Sequence, residues 1–307
     1  MKLYTIIMLL VISSVMYAEE YRINICTGAD APFFKELINF IGSVFKHNKN
    51  NLGDLWVYDL GLNQEQIQWL NNVEHVQVRK IEPINPYITF PIQTTLSGKR
   101  VPGAYSFKAA ALKDMSDYHD HFFWIDAGTT FLGSLNPLYE LALEQGYFFH
   151  NGSDWCIARH ATERLKERFN LKAHDKAWIL APSTHGLEAG FMGITRAVYD
   201  SFVMPLYNYA HDISYFLDDG TCPGGFGNAR HDQSLFSIVA LSNNFFIYHH
   251  FEHPEQAWSV TYNSTSRLVH IACIPSAIGK ETIAYCSRRD IPHFDHYSAY
   301  ITFKGNK

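Results

Sequence analysis

Tyr105 and Lys108 stand three residues apart in a segment of helical spacing, and an apolar run, Phe122-Phe-Trp-Ile, then stops on Asp126-Ala-Gly128. Further along, Glu188-Ala-Gly190-Phe-Met-Gly193 puts a carboxylate at the head of a small-residue run. Arg230-His-Asp232-Gln233 opens another helical pattern with an acid and an amide. A carboxylate at the tip of a buried strand is costly to desolvate unless a cation answers it. Lys108, a metal or another bound cation can give that answer; otherwise Asp126 simply caps its turn. Such a set suits charge stabilisation. Acids and a cation brought together can stabilise charge or move a proton. The plainer role for Asp232 is a carboxylate favoured by a helix N-terminus.

Other patterns carry competing chemistry. His249-His-Phe-Glu252-His253 has the H-x-x-E-H spacing of an inverted zinc-peptidase motif. That spacing needs a helix, whereas here an aromatic strand precedes it and Pro254 follows. A zinc hydrolase is therefore the third reading. The Gly224-Gly225-Phe-Gly227 run does not join a strand tip to a helix and so fails the phosphate fingerprint; a mobile lid is the expectation. The five cysteines have no C-x-x-C spacing. Cys156 and Cys222, in loop-like stretches, are expected to pair in an oxidising compartment, while Cys26 and Cys273 are expected as buried thiols.

These residues need a scaffold, and the composition supplies one. The chain has 307 residues, 47% hydrophobic and 18% charged, which excludes disorder and leaves ample core. A net charge of -5 gives no general attraction to phosphate backbones, which argues against nucleic acid as partner. Residues 1–18 read as a signal peptide, or alternatively as an uncleaved membrane anchor, with residues 19–307 forming one domain. Either places the domain on the secretory route or outside a membrane. Asn151 and Asn263 head glycosylation sequons.

From Tyr21 the pattern is strand, helix from Pro32, strand at 55–60, short helix at 64–70, strand at 76–81, an opening that implies a parallel sheet with crossover helices. Residues 83–103 read as a connecting loop, His121–Ile125 as a strand, and Asn136–Gln145 as a helix. Strands are also expected at 147–150, 188–195 and 245–249, and a helix at 231–241. One doubly wound, mostly parallel α/β domain follows, with ligands expected beyond the carboxyl ends of its strands.

The ordered set of motifs resembles the GT-A fold of nucleotide-diphospho-sugar transferases, closest in style to the glycogenin and galactosyltransferase-like families. Tyr105 and Lys108 before an apolar strand ending in Asp126-Ala-Gly128 are similar to that family's helix and D-x-D strand, with Gly128 at the second aspartate. The resemblance implies a glycosyltransferase that uses a nucleotide sugar, UDP-linked by default, and a glycan or protein hydroxyl acceptor. It implies donor contacts at Thr27, Asp30, Tyr58, Asp59, Tyr105, Lys108, Asp126, Gly128, Gly190 and Gln233, with Glu188 and Asp232 as the catalytic carboxylates. It also implies Mn2+ or Mg2+ at Asp126 and His270, a role that Lys108 and backbone N–H groups would share or replace. A non-catalytic nucleotide-sugar or glycan-binding protein on the same fold is the alternative.

Overall fold

The chain opens with strand β1 (Ile23–Ala29), helix α1 (Phe34–Asn48), β2 (Leu52–Asp59), α2 (Gln64–Asn71) and β3 (Val76–Lys80). Each turn has a local cause. Asp30 accepts the Phe33 N–H ahead of α1, with Pro32 in the first turn. Asn63 and Gln66 form a reciprocal capping box on α2. The computed structural model describes residues 22–131, 133–151, 155–247, 269–273, 282–286 and 297–305, with only the backbone at 269–273 and 282–286. Residues 1–18 (the segment read as a signal peptide or anchor), the His249–His253 cluster, Asn263 and the side chains of His270, Cys273 and Cys286 lie outside the described residues.

Next come the hairpin β4 (Pro91–Gln93) and β5 (Arg100–Pro102), α3 (Phe107–Tyr118), β6 (His121–Ile125), β7 (Thr130–Phe131), α4 (Asn136–Gln145) and β8 (Tyr147–Phe148). The segment read as a connecting loop thus holds a hairpin. Two short helices, α5 (Ile157–His160) and α6 (Glu163–Arg168), precede β9 (Phe191–Thr195), α7 (Met204–Ala210) and α8 (His231–Ser242). Strands β10 (Val269–Cys273) and β11 (Thr282–Cys286) complete the order. Residues 188–190 stand outside β9, and residues 245–247 are not in a strand.

The central sheet runs β3-β2-β1-β6-β9-β8. β3, β2, β1 and β6 are parallel, and β9 alone runs against its neighbours. The expected doubly wound, mostly parallel α/β architecture is the one observed. The order reverses beside β1, because the chain first builds outward through β2 and β3 and then returns to place β6 on β1's other side. A crevice at the carboxyl ends of β1 and β6 follows from that reversal.

Both faces of the sheet are covered. Cys26, Trp56, Tyr58, Phe122 and Trp124 belong to a core with residues of α3, α7 and α8. Ile25, Val57, Phe123 and Ile125 belong to a second core with residues of α1 and α4. Gly193 in β9 is required by this packing, since a β-carbon there would stand 2.8 Å from the Phe123 ring and 2.9 Å from Phe148 Cβ. Residues 297–305 return to the opening half. The Tyr297 carbonyl lies against Gly42 of α1, where a β-carbon would collide with it. Thr302 bonds Glu74, and Lys304 N–H donates to Asn72 O at 2.7 Å.

Cys156 and Cys222 are separate free thiols, both buried, so the expected pairing is not made. Cys26 is a buried thiol, and burial pushes its pKa up. Asn151 is only 1% exposed, which removes it as a carrier of a bulky glycan.

Candidate functional site

Four elements bring the site together. β6 and β9 pair antiparallel with Ile125 opposite Phe191, so the next residues outward, Asp126 and Gly190, also face each other. The Asp126 N–H donates to Gly190 O at 2.8 Å. α3 contributes Lys108 from its first turn, and α8 contributes Asp232 and Gln233 from its own.

Lys108 is the hub. Its Nζ lies 2.7 Å from Asp232 Oδ2, 3.0 Å from Asp126 Oδ1 and 3.1 Å from the Ala189 carbonyl, to which it donates. The side chain is buried at 2% exposure. Burial pulls its pKa down, but Asp126 and Asp232 outweigh that and hold it above the ordinary lysine value, so the ammonium stays charged. Asp232 is equally enclosed. Burial raises its carboxyl pKa and Lys108 opposes the rise. Its Oδ2 contacts the ammonium without a well-aligned hydrogen bond, so this is an ion pair in close contact.

Glu188 approaches from the other side. Its Oε1 accepts the Gly190 N–H at 3.1 Å and the Gln233 amide at 2.6 Å. Burial, then the neighbouring Asp126 charge, raises its pKa. Gly190 fits between the acids, since a β-carbon would stand 3.0 Å from Asp126 Oδ2 and from Glu188 Oε1. Only glycine leaves that space open to a ligand. Trp124 Nε1 donates to Asp126 Oδ1 at 3.0 Å.

These groups line a cleft of about 460 Å³ together with Tyr105, Gly128 and His160. A smaller hollow of about 70 Å³, lined by Asp30, Phe33, Arg100 and Phe107, adjoins it. Lys99, Tyr105, Lys108, Asp126 and Gly128 line both and so mark the junction. Tyr105 reaches that junction through three successive left-handed residues, Gly103, Ala104 and Tyr105, with φ of 52°, 45° and 73°. The two non-glycine residues pay a conformational cost that concentrates at this site. Tyr105 OH accepts from Lys99 Nζ at 3.0 Å.

Of the residues expected from sequence, Asp30, Tyr105, Lys108, Asp126, Gly128, Glu188, Gly190, Asp232 and Gln233 line one or both hollows. Three do not. Tyr58 is fully buried, its hydroxyl donating to Ala111 O and Asp114, so it is core and cannot stack on a base there. Thr27 is buried within β1. Asp59 instead caps its own turn, accepting the Gly61 and Leu62 N–H groups. The Gly224–Gly227 loop is tied at its far end, where Asp218 Oδ2 accepts Gly227 N–H at 2.7 Å and Ala229 N–H at 3.3 Å. Lys99 and His160 were not singled out from sequence, because a lysine in a Pro/Gly-rich loop and a histidine in a four-residue helix carry no pattern.

The described residues do not fit a divalent ion. Asp126 Oδ1 is taken by Lys108 and Trp124, and Gly128 offers no side chain. An ammonium 3.0 Å from Asp126 would repel a second cation placed on the same carboxylate. Among the described residues no three His, Cys, Asp or Glu side chains converge as a metal site. By backbone pairing, His270 in β10 stands opposite Tyr285, which stands opposite Phe131 of β7.

No family model matches the chain, and no curated protein matches it in sequence. Among solved structures it is similar to an active-site variant of LgtC, at 13% identity and a TM-score of 0.45, over 74% of this chain and 72% of that one. It is also similar to the glycosyltransferase GlyE of Streptococcus pneumoniae TIGR4, at 13% identity and 0.41, over 76% of this chain. A third is core-mannan synthase A from Aspergillus fumigatus in a Mn/GDP form, at 9% identity and 0.43, over 73% of this chain and 70% of that one. The chain spans 46% of the length of GlyE, under half. The case for a function rests on the site.

Proposed function

We propose that the chain is a glycosyltransferase that moves a sugar from a nucleoside diphosphate, UDP-linked by default, to a hydroxyl on a glycan or protein. The observation that carries this reading is Lys108, a buried ammonium held between Asp126 and Asp232 where two hollows of unequal size meet. In this reading the diphosphate lies at the junction of the two hollows, with the sugar and its acceptor in the larger.

The chemistry follows from charge. As the anomeric C–O bond breaks, negative charge collects on the diphosphate, and Lys99 at the junction stabilises it while Lys108 offsets the charge of Asp126 and Asp232 beside it. Positive charge collects on the sugar, and Glu188 faces it across the space that Gly190 leaves open. Asp232 and Gln233 orient sugar hydroxyls, with Gln233 also fixing Glu188 Oε1. Both cations are supplied by the chain itself, so no step here is assigned to a metal.

Incubation with a panel of nucleotide sugars, reading nucleotide release into water, tests this without an acceptor. Release from at least one UDP-sugar, abolished in Asp126→Ala, is the expected result. Tight UDP binding with no release from any donor would instead make the chain a nucleotide-sugar-binding protein.

A further inference from the structure

Transfer to a hydroxyl leaves a proton on the acceptor side, and each carboxylate of the cleft already has one oxygen engaged. Asp232 and Asp126 face the Lys108 ammonium, and Glu188 Oε1 carries two hydrogen bonds. His160, the last residue of α5, is placed differently. Its Nδ1 lies 2.7 Å from the Asn228 carbonyl oxygen. A carbonyl only accepts, so the hydrogen sits on Nδ1 and the neutral ring keeps its lone pair on Nε2.

The ring is held as well as oriented. It packs edge-on to Trp155, with centroids 6.0 Å apart. The His160 carbonyl accepts from Arg230 N–H at 3.1 Å and from Ser234 Oγ at 2.9 Å, tying the residue to the start of α8. Asn228 is fixed in turn, because Asp218 grips the N–H groups on either side of it. His160 lines the larger cleft and is not among the residues at the junction. His231 is anchored alike, its Nδ1 2.7 Å from Phe216 O. Its ring, however, lies 5.9 Å from Tyr105 at the junction, where a diphosphate departs rather than an acceptor arrives.

We infer that His160 is the general base of the transfer, a role that rests on the transferase reading above. The acceptor oxygen forms its bond to the anomeric carbon as Nε2 takes the hydroxyl proton. The bond from that carbon to the diphosphate oxygen breaks, and its electron pair leaves on the diphosphate. The Asn228 carbonyl, still accepting from Nδ1, stabilises the imidazolium that results.

Azide tests this, because as an anionic nucleophile it has no proton to lose. His160→Asn is the variant of choice, since its amide nitrogen can occupy the Nδ1 position and keep the bond to Asn228 while supplying no base; His160→Gln is the second. UDP release from UDP-glucose and UDP-galactose is measured in water and with sodium azide, and glycosyl azide is sought by mass spectrometry. Hydrolysis in the variants should fall by about 10²-fold or more, while release with azide should return to within about threefold of wild type. Equal losses with water and azide in both variants would overturn the base role and leave His160 structural. Wild-type chain that releases UDP in neither medium would remove the transferase reading, and the base with it.

Discussion

Replacing Lys108 by methionine keeps an unbranched apolar stem, one atom shorter, and removes one charge. Asp232, at 4% exposure, would then be an enclosed carboxylate with no counter-charge. Asp126 contributes less, because 39% of its side chain is open to solvent and water screens it. Breaking a buried ion pair by deleting one partner costs about 3–5 kcal/mol. For a chain of this size that is a drop in melting temperature on the order of 10 °C. The loss should depend on pH. Burial already raises the Asp232 carboxyl above its ordinary value, and without Lys108 it rises further. A raised acid binds its proton more tightly when folded, so the charge penalty is present above that pKa and is relieved as pH falls through it. The gap between wild type and Lys108→Met should therefore be widest near pH ~7.5 and narrow toward pH ~5. Lys108→Met/Asp232→Asn should recover most of the loss at neutral pH, giving a coupling of about 2 kcal/mol or more in a double-mutant cycle. Urea unfolding of the four chains at two pH values measures all of this. A Lys108→Met chain as stable as wild type at neutral pH, with no coupling to Asp232, would refute the ion-pair account of the hub.

Gly190→Ala places a methyl group 3.0 Å from oxygens of Asp126 and Glu188. It should cost about 1–3 kcal/mol by overpacking and lower turnover of a UDP-sugar more than UDP affinity, read by unfolding, kinetics and calorimetry. Tyr58→Phe should cost about 1 kcal/mol through loss of its hydroxyl bonds to Ala111 and Asp114, with UDP affinity unchanged in calorimetry. Weaker UDP binding in that variant would return Tyr58 to the site. Chelation with EDTA should change UDP-sugar hydrolysis by less than about twofold, given the single free oxygen on Asp126 and the cation beside it.

Much of the scaffold was legible because its apolar runs end sharply. Phe122-Phe-Trp-Ile stops at Asp126, and the strand and the site acid both follow from that stop. The helices at 34–48 and 136–145 announce themselves by a proline in or just before the first turn and by periodic apolar residues. What failed has local causes. In a sheet buried on both faces, strands are apolar on both sides, so alternation does not say which aromatic meets a cleft and which a helix. The resemblance implied a donor contact at Tyr58, and its hydroxyl faces α3 instead. The hairpin at 91–102 was invisible because three-residue strands bounded by proline leave no period to count. Lys108, Asp126 and Asp232 were each visible, but their meeting at one ammonium depends on two helix starts and a strand end converging across the switch in strand order.

The return of residues 297–305 to α1 and α2 bears on how this polypeptide comes to fold during synthesis. Thr302 and Glu74 are 228 positions apart, and the Gly42 notch receives a carbonyl made about 250 residues later. A ribosome-bound nascent chain carrying the first three strands would expose the seat of that strap, with Leu70 and Val73 beside it, until residues 297–305 had emerged. That interval is when a chaperone would find its grip, and a premature stop near residue 290 would prolong it indefinitely.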